Sequence, residues 1–232
     1  MPTSEDFTVT TLGECRFPSP LNFPEELYVS EQSRIRFAAE IPNEVGSDEE
    51  LAFEKAGPRK KIFFDPVETK AAIVTCGGIS PGLNDVIRSI VMQMYYKYGV
   101  KNLLGIRFGY KGLNPANWLE PIKLTPTDVE RVHELGGTVL GSSRGHEAPE
   151  VLVDTLEKLH INILFCIGGD GTLRGANVIW QEVERRGLPI SIIGIPKTID
   201  NDIGYVAKTF GFDTAVAEAR RSLQCAHVEA LS

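Results

Sequence analysis

The sequence lacks the features of membrane-spanning, secreted and nucleic-acid-binding proteins. No apolar run is long enough to cross a bilayer, and the N-terminus has no basic stretch followed by an apolar one. Basic residues are fewer than acidic ones, 24 against 31, and the net charge of -7 argues against nucleic acid or an anionic membrane surface as a partner. We therefore expect a cytoplasmic protein in which any phosphate site is local.

Cysteine is also scarce, and its spacing excludes the common metal and redox motifs. The four cysteines lie far apart, without C-x-x-C spacing, at Cys15, Cys76, Cys166 and Cys225. Two of them fall in or beside strand-like runs, which predicts reduced, buried thiols. No ligand spacing connects the histidines, and no metal role is predicted for His133, His146, His160 or His227.

The chain divides by composition into an N-terminal arm and an α/β domain. Residues 1–69 have poor apolar periodicity and an acidic cluster at 48–50, so we predict an irregular arm with short ordered pieces. Strand-like and helix-like segments alternate over 70–232, as in an α/β domain with a mostly parallel sheet. The prediction for 70–232 is a three-layer, Rossmann-like sheet with helices on both faces.

The apolar pattern gives the elements of this domain. Strands are expected at 71–75, 101–107, 138–140, 161–167 and 190–195. Helices are expected at 83–94, from 127 to the glycines at 136–137, at 149–160, at 173–186 and from 213 onward. Because parallel strands end at one edge of a sheet, the polar turns that follow them should share the ligand-binding edge.

A glycine-rich turn follows the most apolar strand. Residues 168–172 read G-G-D-G-T, and their glycines leave backbone amides free to face a phosphate at a helix N-terminus. The spacing matches neither G-x-G-x-x-G nor G-x-x-x-x-G-K-[ST], so neither the dinucleotide fingerprint nor the P-loop applies. Taken alone, the motif fits equally well a tight turn in which Asp170 caps the helix.

A second motif, P-K-T-I-D-N-D at 196–202, supplies two carboxylates after the next strand. A hydroxyl that attacks phosphorus needs a group to accept its proton, and an aspartate within hydrogen-bond reach serves that role. One of Asp200 and Asp202 would accept the proton, and the other would orient the base or help bind a metal. Thr198 could donate to the phosphoryl group. An ordinary Asx turn is the alternative, but the two motifs together favour phosphoryl transfer.

Two cationic residues occur in these strand-end turns. Arg144 follows two serines after the predicted strand at 138–140, and its guanidinium could neutralise or grip a phosphoryl group. Lys197 could act in the same way. Each would more often be solvated if it stood alone, so their place among the strand-end turns is what favours a phosphate role.

These motifs together resemble the phosphofructokinase family. The resemblance rests on 168–172, on 196–202, on Gly77 and Gly78 through Asn84, and on G-F-D-T-A at 211–215, in order and with family-like spacing. The A-G-P-R segment at 56–59 further resembles the longer plant-type and protist-type ATP-dependent enzymes. The resemblance implies a two-domain α/β kinase that uses Mg²⁺ to phosphorylate the 1-hydroxyl of fructose 6-phosphate, and a homo-oligomer in the full-length protein.

The resemblance also implies roles for individual residues. Asp200 would be the catalytic base, Asp202 and Thr198 would assist at the transferred phosphoryl group, and Asp170 would hold magnesium. The residues implied at the phosphate-donor site are Gly78, Tyr110, Arg144, Gly169, Asp170, Gly171, Thr172, Gly175 and Lys197.

The choice of phosphate donor depends on two of these positions. Family members that use pyrophosphate usually have aspartate where this chain has Gly171, so Gly171 favours ATP. Lys197 instead resembles the pyrophosphate users, but the plant-type ATP enzymes combine glycine and lysine as this chain does. The resemblance therefore implies ATP as the donor, with pyrophosphate less favoured.

The resemblance does not extend to the sugar-phosphate end of the family. The chain stops at Ser232, within or just after the helix predicted from 213, and it has no M-G-R segment. We expect the second phosphofructokinase domain to be largely missing, which leaves open whether this chain is active alone. The alternatives are a non-catalytic nucleotide-binding or regulatory module, and a NAD or lipid kinase. The latter share G-G-D-G-T but lack the 196–202 motif in this form.

Overall fold

The computed structural model describes residues 7–36, 52–204 and 206–232. The chain forms two compact units, Met1–Asp65 and Pro66–Ser232. In the described part of the first unit, β1 (Phe17–Pro18) pairs with β4 (Lys61–Ile62), and β2 (Arg34–Arg36) pairs with β3 (Ala52–Glu54), both antiparallel. The acidic cluster at 48–50 lies outside the described residues.

The second unit is built on a five-stranded sheet. Its strands are β5 (Lys70–Thr75), β6 (Asn102–Ile106), β7 (Ile122–Lys123), β8 (Ile163–Gly168) and β9 (Ser191–Pro196). They lie in the order β7-β6-β5-β8-β9, and all are parallel except β7, which runs antiparallel to β6. The central strand β5 is buried on both faces, in keeping with its apolar middle, Ala71, Ala72, Ile73 and Val74.

Helices cover both faces of this sheet, so the predicted α/β fold is confirmed. The helices are α1 (Leu83–Met92), α2 (Pro149–Lys158), α3 (Asp170–Arg185) and α4 (Phe212–Leu231). Side chains of β5 alternate between two cores: Ala72 and Val74 pack with α2 and α3, whereas Ile73 packs with α1. In contrast, α4 has no buried residues.

The helix predicted from 127 was wrong. Residues 126–131 form turns, followed by a short 3-10 segment, Val132–Glu134. The Asp128 carboxylate accepts hydrogen bonds from the Thr125 amide and hydroxyl, at 2.9 and 2.6 Å, and the backbone bonds switch between i−4 and i−3 partners. A continuous α-helical ladder therefore never forms before the glycines at 136–137.

The prediction of a strand at 138–140 was also wrong, because the amides of this segment bond to side chains and within their own turn rather than to a neighbouring strand. The Val139 amide donates to Asn84 Oδ1 at 2.9 Å, and the Gly141 amide donates to the Thr138 carbonyl at 3.1 Å. The Thr138 hydroxyl bonds with that of Thr75 at 2.9 Å. The segment is thus a turn fixed to β5 and α1 by polar side chains.

The order of the strands creates a topological switch point. The chain leaves β5 for β6 on one side and later enters β8 on the other side of β5. Strands β5 and β8 remain paired to their carboxyl ends, where the Cys76 amide donates to the Ile167 carbonyl at 3.0 Å. In open α/β sheets, ligands bind in the crevice outside such a switch point.

Two further expectations concern thiols and membranes. All four cysteines are free, with Cys76 and Cys166 buried and Cys15 and Cys225 exposed. In the part of the chain that the structure describes, no helix combines the length and apolar character needed to cross a membrane.

Candidate functional site

A pocket of ≈ 390 Å³ lies at this switch point. Its walls come from the turns after β5, β6, β8 and β9 and from the loop at 143–147. Of the residues predicted at a donor site, all but Gly175 line the pocket: Gly78, Tyr110, Arg144, Gly169, Asp170, Gly171, Thr172 and Lys197. Topology therefore gathers residues that are up to about 120 positions apart in the sequence into one cavity.

Close packing explains the first glycine of the G-G-D-G-T turn. A Cβ on Gly168 would lie 2.1 Å from Thr172 Oγ1 and 2.7 Å from the Cys76 carbonyl oxygen, so no side chain fits there. Gly171 differs, because a Cβ on it would meet no atom within 4 Å. Packing does not require glycine at 171, and a side chain there would project into open space.

Helix α3 presents its N-terminus to the pocket. The helix begins at Asp170, and residues 169–172 all line the cavity. The helix runs to Arg185, which is long enough for its positive dipole end to favour a bound anion. The main chain of the turn thus suits a phosphate group without a P-loop.

Two cationic side chains converge beside Gly78. A Cβ on that glycine would lie 3.8 Å from Lys197 Nζ and 3.9 Å from Arg144 Nη2. Lys197 is only 6% exposed. Burial lowers the pKa of Lys197, the nearby Arg144 charge lowers it further, and Asp200 acts in the opposite direction. Two like charges held this close suit an anionic ligand.

Tyr110 packs under the start of α3. Its ring is buried, and its hydroxyl donates to the Thr172 carbonyl at 2.8 Å. A Cβ on Gly175 would lie 2.7 Å from the Tyr110 ring, so Gly175 admits the ring and does not itself line the pocket. Burial raises the pKa of Tyr110, and it raises those of Cys76 and Cys166 to about 12. These groups stay protonated near neutral pH.

The 198–202 loop is held by its own hydrogen bonds. The Thr198 hydroxyl donates to Asp202 Oδ1 at 2.6 Å and accepts from the Asp200 amide at 3.1 Å. Buried Thr209 holds the loop from outside, donating its hydroxyl to the Thr198 carbonyl at 2.9 Å and its amide to Asn201 Oδ1 at 2.8 Å. Thr198, Asp200 and Asp202 do not line the pocket, but the loop leaves it directly after Lys197.

The predicted metal ligand, Asp170, has an accessible carboxylate. Its side chain is 70% exposed at the rim of the pocket and pairs with Arg174 at 3.4 Å. Over residues 7–36, 52–204 and 206–232, no three histidine, cysteine, aspartate or glutamate side chains form a group able to hold a metal ion. A metal here would need ligand atoms from a bound phosphate as well.

The structure adds pocket residues for which the sequence predicted no role. These are Cys76, Gly77, Lys111, Ser143, Gly145, His146 and Glu147. Most of them are chain neighbours of predicted residues: one group surrounds Arg144, and another precedes Gly78. The signal available in the sequence was therefore adjacency to a predicted residue within a strand-end turn.

The fold and the pocket define an α/β protein with a cleft at a topological switch point, lined by two cationic side chains and the N-terminus of a helix. The phosphofructokinase family model matches residues 70–232, so the chain belongs to the phosphofructokinase family.

Relatives and solved structures agree with this assignment. An ATP-dependent 6-phosphofructokinase of Borreliella burgdorferi is 47% identical over 98% of this chain and 52% of its own length. One from Trypanosoma brucei brucei is 47% identical over 99% of this chain and 49% of its own length. The T-state crystal structure of Pichia pastoris phosphofructokinase is similar with a TM-score of 0.55 and 28% identity, over 62% of this chain and 16% of that one. The chain thus spans about half the length of these curated relatives.

Proposed function

We propose that this chain supplies the donor site and catalytic base of an enzyme that transfers a phosphoryl group from ATP to the 1-hydroxyl of fructose 6-phosphate. The observation that supports this best is the convergence of Lys197 and Arg144 on the pocket into which α3 directs its N-terminus. Cations and a helix N-terminus are the groups that stabilise a transferring phosphoryl group. Relatives named ATP-dependent 6-phosphofructokinase support the same reaction.

The hydrogen bonds of the 198–202 loop support separate roles for its two aspartates. Asp202 is engaged by the Thr198 hydroxyl, whereas no described residue donates a hydrogen bond to the Asp200 carboxylate. Asp200 therefore retains its oxygens for the proton of an attacking hydroxyl, and Asp202 fixes the loop. Thr198 would have to release Asp202 before it could donate to the phosphoryl group.

The pocket also suits magnesium. Mg²⁺ binds through one or two carboxylates together with substrate phosphates, and Asp170 offers one exposed carboxylate at the end of α3 that lines the pocket. When bound, the ion would neutralise charge on the donor phosphates. Asp170 is thus the residue proposed to hold it.

The proposed donor is ATP, because the open space at Gly171 leaves room for the rest of a nucleotide beside the phosphates. Pyrophosphate is the less favoured donor: Lys197 resembles the residue of the pyrophosphate users, but the plant-type ATP enzymes of the family combine that lysine with a glycine at the position of Gly171, as this chain does. A cytoplasmic location, expected from the sequence, and a homo-oligomeric full-length protein, implied by the family resemblance, complete the proposal.

A coupled assay of the full-length enzyme with ATP and fructose 6-phosphate tests the reaction, with NAD as the alternative acceptor. We expect product from fructose 6-phosphate, and a loss of about 10²- to 10⁴-fold in turnover for Asp200→Asn with nearly unchanged ATP affinity by calorimetry. ATP binding without transfer to the sugar would favour the non-catalytic module instead. Transfer to NAD would identify a different kinase.

A further inference from the structure

We propose that Glu147, held in place by Asn114, recognises the ribose hydroxyls of the donor and so distinguishes a nucleoside triphosphate from inorganic pyrophosphate. The inference rests on the proposed function and deepens it, since it assigns a specificity-determining residue to the same pocket.

The pocket is lined by acidic as well as basic side chains. Its lining contains two carboxylates, Asp170 and Glu147, beside the cations Arg144 and Lys197. Asp170 has a role in the proposed reaction as the magnesium ligand. Glu147 has none, and a carboxylate near a polyphosphate is repelled by it. A carboxylate fits such a pocket where the ligand presents neutral hydrogen-bond donors.

Asn114 fixes the position of this carboxylate. The Asn114 Nδ2 atom donates to Glu147 Oε2 at 2.5 Å, and Asn114 Oδ1 accepts from the Ala116 amide at 3.0 Å. Asn114 directly follows the 3-10 segment Gly109–Leu113, which carries Tyr110. Glu147 is thus tied to the wall of the pocket that carries Tyr110 and packs against α3. Asn114 is itself fixed, because its side-chain oxygen is bonded to the Ala116 amide.

The second carboxylate oxygen of Glu147 remains for a ligand. No residue that the structure describes donates to Glu147 Oε1. Glu147 also lies three residues after Arg144 in one loop, so the two are within about 11 Å along the chain and can contact one small molecule.

A ligand with neutral hydroxyl groups matches the free carboxylate oxygen of Glu147. A ribose diol presents two O–H donors, and an acidic residue that accepts them is a known solution for nucleotide recognition. Inorganic pyrophosphate has no such neutral donors. Glu147 therefore favours a nucleotide and disfavours pyrophosphate through the same negative charge.

Calorimetry on this chain with ATP, 2′,3′-dideoxy-ATP and pyrophosphate tests the inference. We expect the unmodified chain to bind ATP about 10- to 100-fold more tightly than dideoxy-ATP. Glu147→Ala should remove that preference, bind pyrophosphate more tightly, and unfold at a similar temperature. Asn114→Ala should reduce the preference partly, because the carboxylate loses its support. Glu120→Ala, an exposed acid outside the pocket lining, is the matched control and should bind as the unmodified chain does.

The outcomes separate this inference from the proposed function. Equal binding of ATP and dideoxy-ATP by the unmodified chain overturns the role of Glu147 and needs no variant that folds. An unchanged preference in Glu147→Ala overturns it as well, while ATP binding leaves the donor site intact. A chain that binds neither ATP nor pyrophosphate overturns both.

Discussion

The Thr198 hydroxyl donates to Asp202 Oδ1 across 2.6 Å, and Thr198 Oγ1 accepts a hydrogen bond from the Asp200 amide at 3.1 Å. One buried side chain thus joins the two aspartate residues of the 198–202 loop. The bond occupies Asp202 and sets the backbone of Asp200. In the proposed reaction, this arrangement decides which carboxylate can accept a proton.

Replacing Thr198 with valine should disturb catalysis more than donor binding. The variant keeps the shape of the side chain but removes the hydroxyl, which frees Asp202 and leaves the Asp200 amide without its partner. We expect turnover to fall about 10- to 100-fold and the free energy of unfolding to fall by about 1–3 kcal/mol. Steady-state kinetics, ATP calorimetry and denaturant unfolding measure these effects.

The control is Thr198→Ser, which retains the hydroxyl and should recover most of the lost turnover and most of the lost stability. Equal turnover in Thr198→Val and the unmodified protein would refute the positioning role.

Gly168 and Gly171, two of the three glycines in the 168–172 turn, should respond oppositely to alanine. Gly168→Ala places a Cβ against Thr172 and the Cys76 carbonyl, where the backbone must move, so we expect a loss of about 3 kcal/mol or more in the free energy of unfolding. Gly171→Ala meets open space within α3 and should leave stability unchanged or raise it by up to about 1 kcal/mol. Thermal or denaturant unfolding of the pair measures the difference. Similar stabilities for the two variants would show that the turn is less tightly packed.

Lys197 should strengthen ATP binding while lowering the free energy of unfolding of the unliganded protein. Burial and the Arg144 charge lower its pKa from the ordinary 10.5, so the unfolded chain binds more protons between that lowered value and 10.5. The free energy of unfolding of the unmodified protein, relative to that of Lys197→Met, should therefore rise as the pH increases from the lowered pKa to 10.5. The variant should be as stable or more stable at pH 7, yet bind ATP about 10- to 100-fold more weakly. Unfolding at pH 7 and 10, with calorimetry, tests both effects. Unchanged ATP affinity would remove Lys197 from the donor site.

The parts of the fold that the sequence could predict are those whose pattern is set by burial. The strand at β8 and the helix at α3 stand out because one is apolar throughout and the other has a single apolar stripe. The segment from 127 was predicted wrongly because Asp128 accepts hydrogen bonds from the nearby Thr125, and the segment at 138–140 because a long-range polar contact decides its conformation. Asn84, more than fifty positions away, binds the Val139 amide. No local pattern reports such a bond.

The residues of the site also fall into those that the sequence could predict and those that it could not. Glycines and charged residues directly after strands could be predicted, because parallel strands bring their carboxyl ends to one edge. Glu147 was missed: its adjacency to Arg144 indicates a place near the pocket, but its hydrogen bond with Asn114, thirty-three positions earlier, is not visible in the sequence. The structure also gives Gly175 a role that sequence could not separate from ligand contact, namely room for the Tyr110 ring.

Away from the pocket, Glu182 joins α3 to α2 through Arg186. Glu182 is 7% exposed and accepts bonds of 2.7 Å from Arg185 and 2.6 Å from Arg186, and Arg186 reaches Asp154 on α2 at 2.6 Å. Hydrogen bonds from the two guanidinium groups lower the pKa of Glu182 from 4.5 to about 2. Its ionised form is therefore favoured by folding.

This lowered pKa predicts acid sensitivity. Because the folded protein holds the Glu182 carboxylate ionised at a pH where the unfolded chain protonates it, the stabilisation is complete above about pH 4.5 and is lost as pH falls toward 2. Glu182→Gln should be less stable than the unmodified protein at pH 7, and the gap should narrow between pH 4.5 and 2 because only the unmodified protein loses this contribution. Glu184→Gln, an exposed position on the same helix, is the control and should leave stability nearly unchanged at both pH values. Denaturant unfolding at several pH values measures the gap. A gap that stays constant from pH 7 to 2.5 would show that Glu182 stabilises α3 by its packing and not by its charge.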